Sequence, residues 1–595
     1  MIPMRCSMEK KMTLFRYRGA IPAILAYQLV SKLVFFAVMW LYRQLTGLLL
    51  WNLDRPAFTS GDLPYLLRSW QGWLLILCGF LALLIYTVFD VNATILLSNK
   101  VLRDERIRAL PLLREALLKM RRFGSTHGLL VILYVTLLAP LAGAAFGVSL
   151  TTDFTVPEFI VQFINESAVL HILYSIAILI LGIVGIVYLF TFHFVLLRDN
   201  DARTAMRSAR KLMRGNWKAF LKNYLLFLLK ALMIFAAILA AAYILPLVLS
   251  GLFVKGEYAY HVLVIFFTGL WGLAVLVYAA LFLQFQMMEL TVLFDRFTEA
   301  EPDYIPPGKK RHYAVYSGAG AVLVLLLAVS LLAAVDFDTA FPAFSDVKVI
   351  AHRGGGTLGN ENTVLSLERA IEHGASATEI DVQRTADGYY IINHDTTFER
   401  CCGVDKRPGE MTLAEIKTLE VVNAQDPLAP TAEVATMEEI LDAAKGHLTV
   451  YIELKGESAD HQMADDIYRM IVERGMQDEC MFISLSYELI DYIETTYPEM
   501  RTGYLCYFSF GNIGDMNCDA LLLEAETATQ ANVDKIHTAG KEVNVWTVNT
   551  LDGMTRFMTS DVDGIITDEV AQAELVRSIL TERSDSARVL QYLYG

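Results

Sequence analysis

The first 340 residues hold repeated apolar runs of about 20 residues, the length that crosses the hydrocarbon of a bilayer as helix. They lie near 70–89, 128–150, 168–197, 231–254, 262–288 and 313–335. A further run at about 20–42 is interrupted by Lys32. Its apolar stretch is too long for a signal-peptide core and no small-residue cleavage site follows, so it reads as a retained span. Seven spans are therefore expected, an all-α polytopic membrane domain over residues 1–340.

Lys and Arg collect on the cytoplasmic side of such proteins. Five precede the first run (Arg5, Lys10, Lys11, Arg16, Arg18), eight lie in 98–127, seven in 198–218 and four in 296–312. The intervening segments 43–69, 151–167 and 255–260 carry three, none and one. The alternation, 24 against 4, predicts a multi-pass cell-membrane protein with a cytoplasmic N-terminus and everything after Val335 outside the cytoplasm. Within the basic loops, Leu113, Leu117 and Met120 recur at helical spacing, as do Met206, Ala209 and Met213. Either stretch reads as an interfacial helix on anionic lipid or simply as positive-inside loop. Lys32 and Lys230 suit a polar pathway or snorkelling to the headgroups equally well.

Charge divides the chain where hydropathy does. Residues 1–340 carry a balance of +11 and residues 341–595 one of −25, within a total of −14. A basic apolar half joined to an acidic ordinary half is a membrane domain followed by a water-soluble one. No nucleic-acid role is indicated, because the basic residues sit between apolar spans. The seven cysteines form no C-x2-C pair and, being odd in number, no disulfide framework.

After a linker, Asp336–Asp346, strand-like runs alternate with amphipathic segments. The runs are Val347–Ala351, Thr378–Val382, Tyr389–Asn393, Leu448–Leu454, Met481–Ser484, Thr502–Cys506, Ala520–Leu523, Glu542–Val548 and Gly564–Ile566. Helical patterns cover Thr363–His373, Thr412–Leu419, Met437–Ala444, Asp460–Glu473 and Tyr487–Tyr497. Strand and helix alternating over residues 341–595 predict an α/β fold of the TIM type, a (β/α)8 barrel. A doubly wound sheet is the alternative, but no glycine-rich phosphate loop opens its first helix.

In such a barrel the chemistry sits at the C-terminal strand ends. His352-Arg353-Gly354 ends the first strand. Glu379 and Asp381 stand two apart on the second, so both turn to one face. His394-Asp395 ends the third, Glu453 and Lys455 flank the end of another, and Trp546 and Asn549 close a late strand. Singly each is unremarkable: a His-Asp dipeptide is usually incidental and a Trp usually core. Together, three carboxylates facing a barrel interior repel one another unless a cation joins them. All-oxygen ligands select a hard ion, Ca2+ or Mg2+.

This set of residues resembles the glycerophosphodiester phosphodiesterase family, which forms TIM barrels. The shared motifs are HRG (352–354), ENT (361–363), E-x-D (379–381), DG (387–388), HD (394–395) and E-x-K (453–455), over roughly residues 347–570. The preceding half is similar to the multi-span domain of the family's membrane-bound bacterial branch. The pattern departs at Asn360, Cys401, Cys402 and Glu569-Val570, none of them a proposed ligand or catalytic histidine.

The resemblance implies one divalent cation on Glu379, Asp381 and Glu453, with His352 and His394 as general acid and base and Arg353 and Lys455 stabilising the phosphoryl charge. Glu361 and Trp546 are substrate-side candidates, while the plainer reading makes Glu361 a helix-cap partner with Asn362 or Thr363 filling the cap itself. The implied reaction is hydrolysis of a glycerophosphodiester, at the bilayer, to glycerol 3-phosphate and an alcohol. The nucleophile is water or a neighbouring glycerol hydroxyl acting through a cyclic phosphate. Two alternatives stand beside it: a phospholipase-type phosphodiesterase acting on membrane lipids or polyglycerolphosphate, and a lipid-handling transporter or sensor with a ligand-binding barrel.

Overall fold

The computed structural model describes residues 20–50, 57–59, 68–105, 107–141, 168–253, 256–300, 313–341, 346–423, 425–426, 428–582 and 584–594. Contacts divide the chain into two units. One comprises Met1–Gln44 and Leu74–Asp336, the other Leu45–Trp73 and Phe337–Gly595.

Among the described residues five helices are long and apolar enough to cross a membrane: Ile21–Leu49, Trp70–Leu102, Val169–Leu197, Ala202–Ala241 and Glu257–Phe297. Of the remaining expected spans, the run at 128–150 is represented by the helix Thr126–Leu141, its later part lying outside the described residues. The run at 313–335 is represented by Tyr313–Ala333, with Ser317–Ala333 a shorter apolar helix. The basic N-terminal segment lies outside the described residues.

The two basic loops that look alike in sequence fold differently. Ala109–Met120 is a helix of its own that buries Leu112 and Ala116 and exposes Leu110, Leu117 and Leu118. Residues 205–214 form no separate interfacial helix. They begin the continuous helix Ala202–Phe253, burying Ala205, Ala209 and Met213. With no Gly or Pro between 202 and 214 to stop it, the helix simply runs on. Beside Lys32, Ser31 Oγ donates to Asp90 Oδ1 at 2.6 Å, and Tyr27 Oη donates to the same oxygen at 2.9 Å. Lys230 is exposed.

The second unit contains a closed barrel. Its strands, in chain order with the shorter ones that accompany them, are β1 (Ala57–Thr59), β2 (Lys348–Ala351), β3 (Ala377–Arg384), β4 (Tyr390–Ile392), β5 (Glu420–Val421), β6 (Ala432–Glu433), β7 (Thr449–Leu454), β8 (Cys480–Ser484), β9 (Arg501–Cys506), β10 (Ser509–Gly511), β11 (Ala520–Glu524), β12 (Glu542–Trp546) and β13 (Gly564–Thr567). Eight of them pair in parallel in the order β2-β3-β7-β8-β9-β11-β12-β13, and β13 pairs back onto β2 to close the ring. β5 and β6 form a small antiparallel pair, as do β1 and β10.

One strand assignment needs correction. The run at 389–393 is not the third barrel strand, because β4 pairs antiparallel with β3, with Ile392 opposite Val382 and Tyr390 opposite Arg384. The turn between them, with Gly388 at φ 89°, is too short for the dozen or more residues a parallel crossover needs. Chain from β4 to β7 therefore makes an excursion over the C-terminal rim, and His394 rides on it.

Alternation along each strand sets inside from outside. On β7, Val450, Ile452 and Leu454 belong to the apolar layer under the helices, whereas Tyr451 joins Ile350, Met481, Leu522 and Ile566 in the lumen. On β3, Ile380 and Val382 point outward and Ala377 inward. Helices complete the outer layer. Val364–Glu372 starts at Thr363, whose Oγ1 accepts from the Ser366 amide at 3.2 Å, and ends before Gly374 at φ 82°.

Candidate active site

The same alternation delivers the polar side chains. Glu379 and Asp381 share the inward parity of Ala377, and Glu453 that of Tyr451. The parallel register places Asp381 beside Glu453. All three carboxylates are buried, and one oxygen from each lies within 4.8 Å of the others. Each is braced differently. The Arg353 amide donates to Glu379 Oε2 at 2.9 Å, Asn362 Nδ2 donates to Asp381 Oδ2 at 2.9 Å, and Lys455 Nζ reaches Asp381 Oδ1 at 3.0 Å and Glu453 Oε2 at 3.3 Å.

The electrostatics of this cluster are uneven. Burial and the neighbouring Asp381 push Glu379 up to about 8. Burial, with Asp381 outweighing part of the help from Lys455, raises Glu453 to about 7. Burial acts on Asp381 too, but Lys455, His394 and Arg353 together hold it well below the usual carboxylate range. Glu379 Oε1 is buried with no hydrogen-bond partner. Three clustered carboxyl oxygens and an unsatisfied buried acceptor fit a hard divalent cation.

Two histidines flank the cluster, each held the same way. His352 Nδ1 lies 2.7 Å from Asp568 Oδ1, and Asn549 Nδ2 donates to the other oxygen of that carboxylate at 2.6 Å. His394 Nδ1 lies 2.8 Å from Asp395 Oδ1, and Arg400 Nε donates to Asp395 Oδ2 at 2.7 Å. With Nδ1 engaged by a carboxylate, Nε2 of either ring is the atom left to exchange a proton. His352 Nε2 is 3.8 Å from Glu379 Oε2, which ties that ring to the carboxylate cluster. Their environments differ in sign. Burial works against protonation of His352, but Asp568 outweighs it and the imidazole is raised. Burial lowers His394, with Asp395 only partly offsetting it and Arg353 and Lys455 adding to the fall.

Arg400 extends the second arrangement, its two terminal nitrogens donating to both oxygens of Glu361 at 2.7 and 2.6 Å. Glu361 also meets Arg353 Nη1 at 3.4 Å. Arg353 Nε is a buried donor with no partner. Its backbone is left-handed, φ 49°, which costs an L residue roughly 1–2 kcal/mol. Two backbone bonds hold it there: the one to Glu379 and that from the Asn362 amide to the Arg353 carbonyl at 2.6 Å. A cavity of about 580 Å³ opens beside these groups, lined by His394, Thr396, Thr397, Arg400 and Lys455.

Eight of the nine residues given a site role from the sequence converge here: His352, Arg353, Glu361, Glu379, Asp381, His394, Glu453 and Lys455. The ninth, Trp546, has the lumen parity of β12 and meets the site through Tyr507, which lies within electrostatic reach of Lys455 and Glu453. Its indole N–H donates to the Leu522 carbonyl at 2.8 Å and its ring packs edge-on against Tyr507, centroids 4.8 Å apart. Of the two residues offered for the helix cap Thr363 fills it, and its capping-box partner is Ser366 rather than Glu361. Asp568, Asp395, Arg400 and Asn362 join the site with no role assigned from sequence, although Asp395 and Asn362 stand inside the HD and ENT motifs. Asp568 is two residues beyond Ile566 on β13, so strand parity alone turns it inward. Arg400 sits on the excursion, where no periodicity exists to find it.

Residues 352–572 match the model of the glycerophosphoryl diester phosphodiesterase family, and residues 11–332 match that of the membrane domain of glycerophosphoryl diester phosphodiesterase. The barrel is 27% identical over 230 residues to a glycerophosphodiester phosphodiesterase of Caldanaerobacter subterraneus, covering 37% of this chain and 93% of that one. It is 24% identical over 227 residues to a putative glycerophosphodiester phosphodiesterase of Bacillus subtilis, covering 37% and 93%. Among solved structures it is similar to an Oleispira antarctica phosphodiesterase in complex with the product sn-glycerol-3-phosphate, at 22% identity and TM-score 0.35, covering 40% of this chain and 98% of that one.

Proposed function

The chain belongs to the glycerophosphoryl diester phosphodiesterase family and carries that family's membrane domain, and from this premise we propose that it hydrolyses glycerophosphodiesters to glycerol 3-phosphate and an alcohol outside the cytoplasm, with one divalent cation, Ca2+ or Mg2+. The observation that carries the chemistry is the meeting of three buried carboxylates with two imidazoles, each imidazole backed by its own aspartate. A ligand-binding module has no need of a paired acid and base, which favours turnover over mere binding.

Glu379, Asp381 and Glu453 are the residues to hold the cation, which when bound supplies Lewis acidity toward a phosphoryl oxygen and offsets charge in an acidic domain. Arg353 brings an unpartnered buried donor, and a phosphoryl oxygen is the acceptor it lacks. Lys455 contributes a second positive charge beside it. One imidazole removes the proton from the attacking oxygen at Nε2, and the other delivers a proton to the leaving alcohol oxygen. Asp568 and Asp395 hold the rings in one tautomer and stabilise whichever becomes imidazolium. Atoms balance as diester plus water giving monoester plus alcohol.

The purified protein, treated with a chelator and then resupplied with Ca2+ or Mg2+ in turn, tests this over a panel of glycerophosphodiesters. Alcohol release should stop on chelation and return with one of the two ions. His394→Ala should lower turnover by about 10²–10⁴, the usual worth of a general acid or base. Undiminished turnover in excess chelator defeats the cation, and turnover within a few-fold of wild type in His394→Ala defeats the acid–base pair.

A further inference from the structure

β1 does not belong to the barrel by sequence order. It lies between the first two membrane helices, some 290 residues before the barrel begins, yet it pairs with β10 inside the catalytic unit. The register is antiparallel, with Ala57 opposite Gly511, Phe58 opposite Phe510 and Thr59 opposite Ser509. Among the described residues β10 has no other strand partner. Side chains reinforce the pairing. Ala57 is buried in the apolar layer that also holds Tyr504, Ile513 and Met516. Thr59 is fully buried and its hydroxyl meets that of Tyr504 on β9 at 2.5 Å.

What β10 continues is the wall of the site. Tyr507 follows directly on β9 and precedes β10 by two residues. Its ring packs on Trp546, its carbonyl accepts from Thr527 Oγ1 at 2.7 Å, and it lies within electrostatic reach of Lys455 and Glu453. A three-residue strand without a partner is not stable alone in water. The loop bearing Tyr507 is therefore anchored at its far end by β1.

We propose that residues 57–59 are a positioning element of the active site: a strand lent by the membrane half that holds the 507–511 loop, and with it the Tyr507–Trp546 pair, at the barrel mouth. One requirement follows at once. Hydrogen-bonded strands share a side of the membrane, so the chain between Thr59 and Phe337 crosses the bilayer an even number of times. The kinetic part rests on the phosphodiesterase reading above; the pairing itself does not.

Two measurements on the full-length protein separate these. Thr59→Cys with Ser509→Cys puts thiols at facing positions, and mild oxidation should link peptides containing 59 and 509, found by mass spectrometry. Thr59→Cys with Ser578→Cys should not link. No 59–509 link overturns the pairing. In the second measurement, Ala57→Asp drives a charge into the apolar layer, and Thr59→Val removes the hydroxyl that meets Tyr504. Both should raise KM for a glycerophosphodiester, Ala57→Asp by about tenfold, while kcat changes far less, because the phosphoryl-handling groups are untouched. Ala57→Ser and Thr59→Ser should restore wild-type KM. If the link forms and neither Ala57→Asp nor Thr59→Val moves KM, the positioning role is overturned. If Ala57→Asp fails to fold, Thr59→Val alone decides. A wild-type protein that links but turns over no glycerophosphodiester sinks the earlier reading and leaves the pairing standing.

Discussion

Glu379 and Glu453 make the sharpest prediction at the scale of single residues. Without a cation, burial and the neighbouring Asp381 charge raise them to about 8 and about 7, against ordinary values near 4.5. A raised carboxyl binds more protons folded than unfolded, so its contribution to stability falls as pH rises above the unfolded value. The metal-free protein should therefore lose melting temperature between about pH 5 and 8, and added Ca2+ or Mg2+ should recover it most at the alkaline end. Near pH 7 binding must expel roughly one proton, readable by calorimetry in two buffers of different ionisation heat. Proton-neutral binding would contradict the cluster as ligand set. Arg400 gives a second case. It touches none of the three carboxylates, acting through Asp395 on His394. Arg400→Gln should lower kcat about 10–100-fold, the usual cost of losing a group that orients another. It should also shift the alkaline or acid limb of the pH–rate profile. A change in KM alone would place Arg400 on the substrate instead.

Elements explain which of these residues were legible beforehand. Glu379, Asp381 and Glu453 lie on strands, where the period of two sends alternate side chains to the lumen, so spacing alone carried their convergence. His352 and Asp568 lie just past strand ends on the same parity; the first carries a role from its motif, whereas nothing in the sequence shows that the second backs the first. His394, Asp395 and Arg400 ride on the excursion after β4, where backbone direction depends on one turn at Gly388, and there the strand reading failed. The pairing of β1 with β10 was invisible, since nothing in three residues, Ala57–Thr59, announces a partner in the other half of the chain. Gly356 shows what such loops demand. Its φ is +58°, and a Cβ there would sit 2.1 Å from the Asp568 carbonyl oxygen. That oxygen also accepts from the Thr357 amide at 2.7 Å. Gly356→Ala should cost on the order of 1–3 kcal/mol of stability from backbone strain alone. It should also displace Asp568 from His352, so activity should fall further than the melting point does. An alanine variant of wild-type activity would show that the loop yields and that Asp568 does not need it.

For the whole molecule the question is which side of the bilayer the chemistry occupies. Basic residues divide 24 to 4 between alternate loops, and the segment 43–69 that bears β1 falls on the poor side. Strand pairing makes the barrel share that side, a constraint independent of the charge count. The proposed topology satisfies both at once, with loops 98–127 and 198–218 in the cytoplasm and β1 and the barrel opposite. Protease added to intact cells should then cut in the linker 336–346 and yield a soluble or loosely held barrel fragment, while sites in 98–127 and 198–218 are cut only after the membrane is opened. The parity requirement sharpens the outcome. A topology with the barrel in the cytoplasm must carry residues 57–59 there too, and would place the eight basic residues of 98–127 outside, against the positive-inside bias. Protection of the linker together with cleavage in 98–127 would invert the whole arrangement. Protection of the linker with 98–127 also protected would break the β1–β10 pairing instead, so the two proteolysis patterns distinguish an error in sidedness from an error in docking.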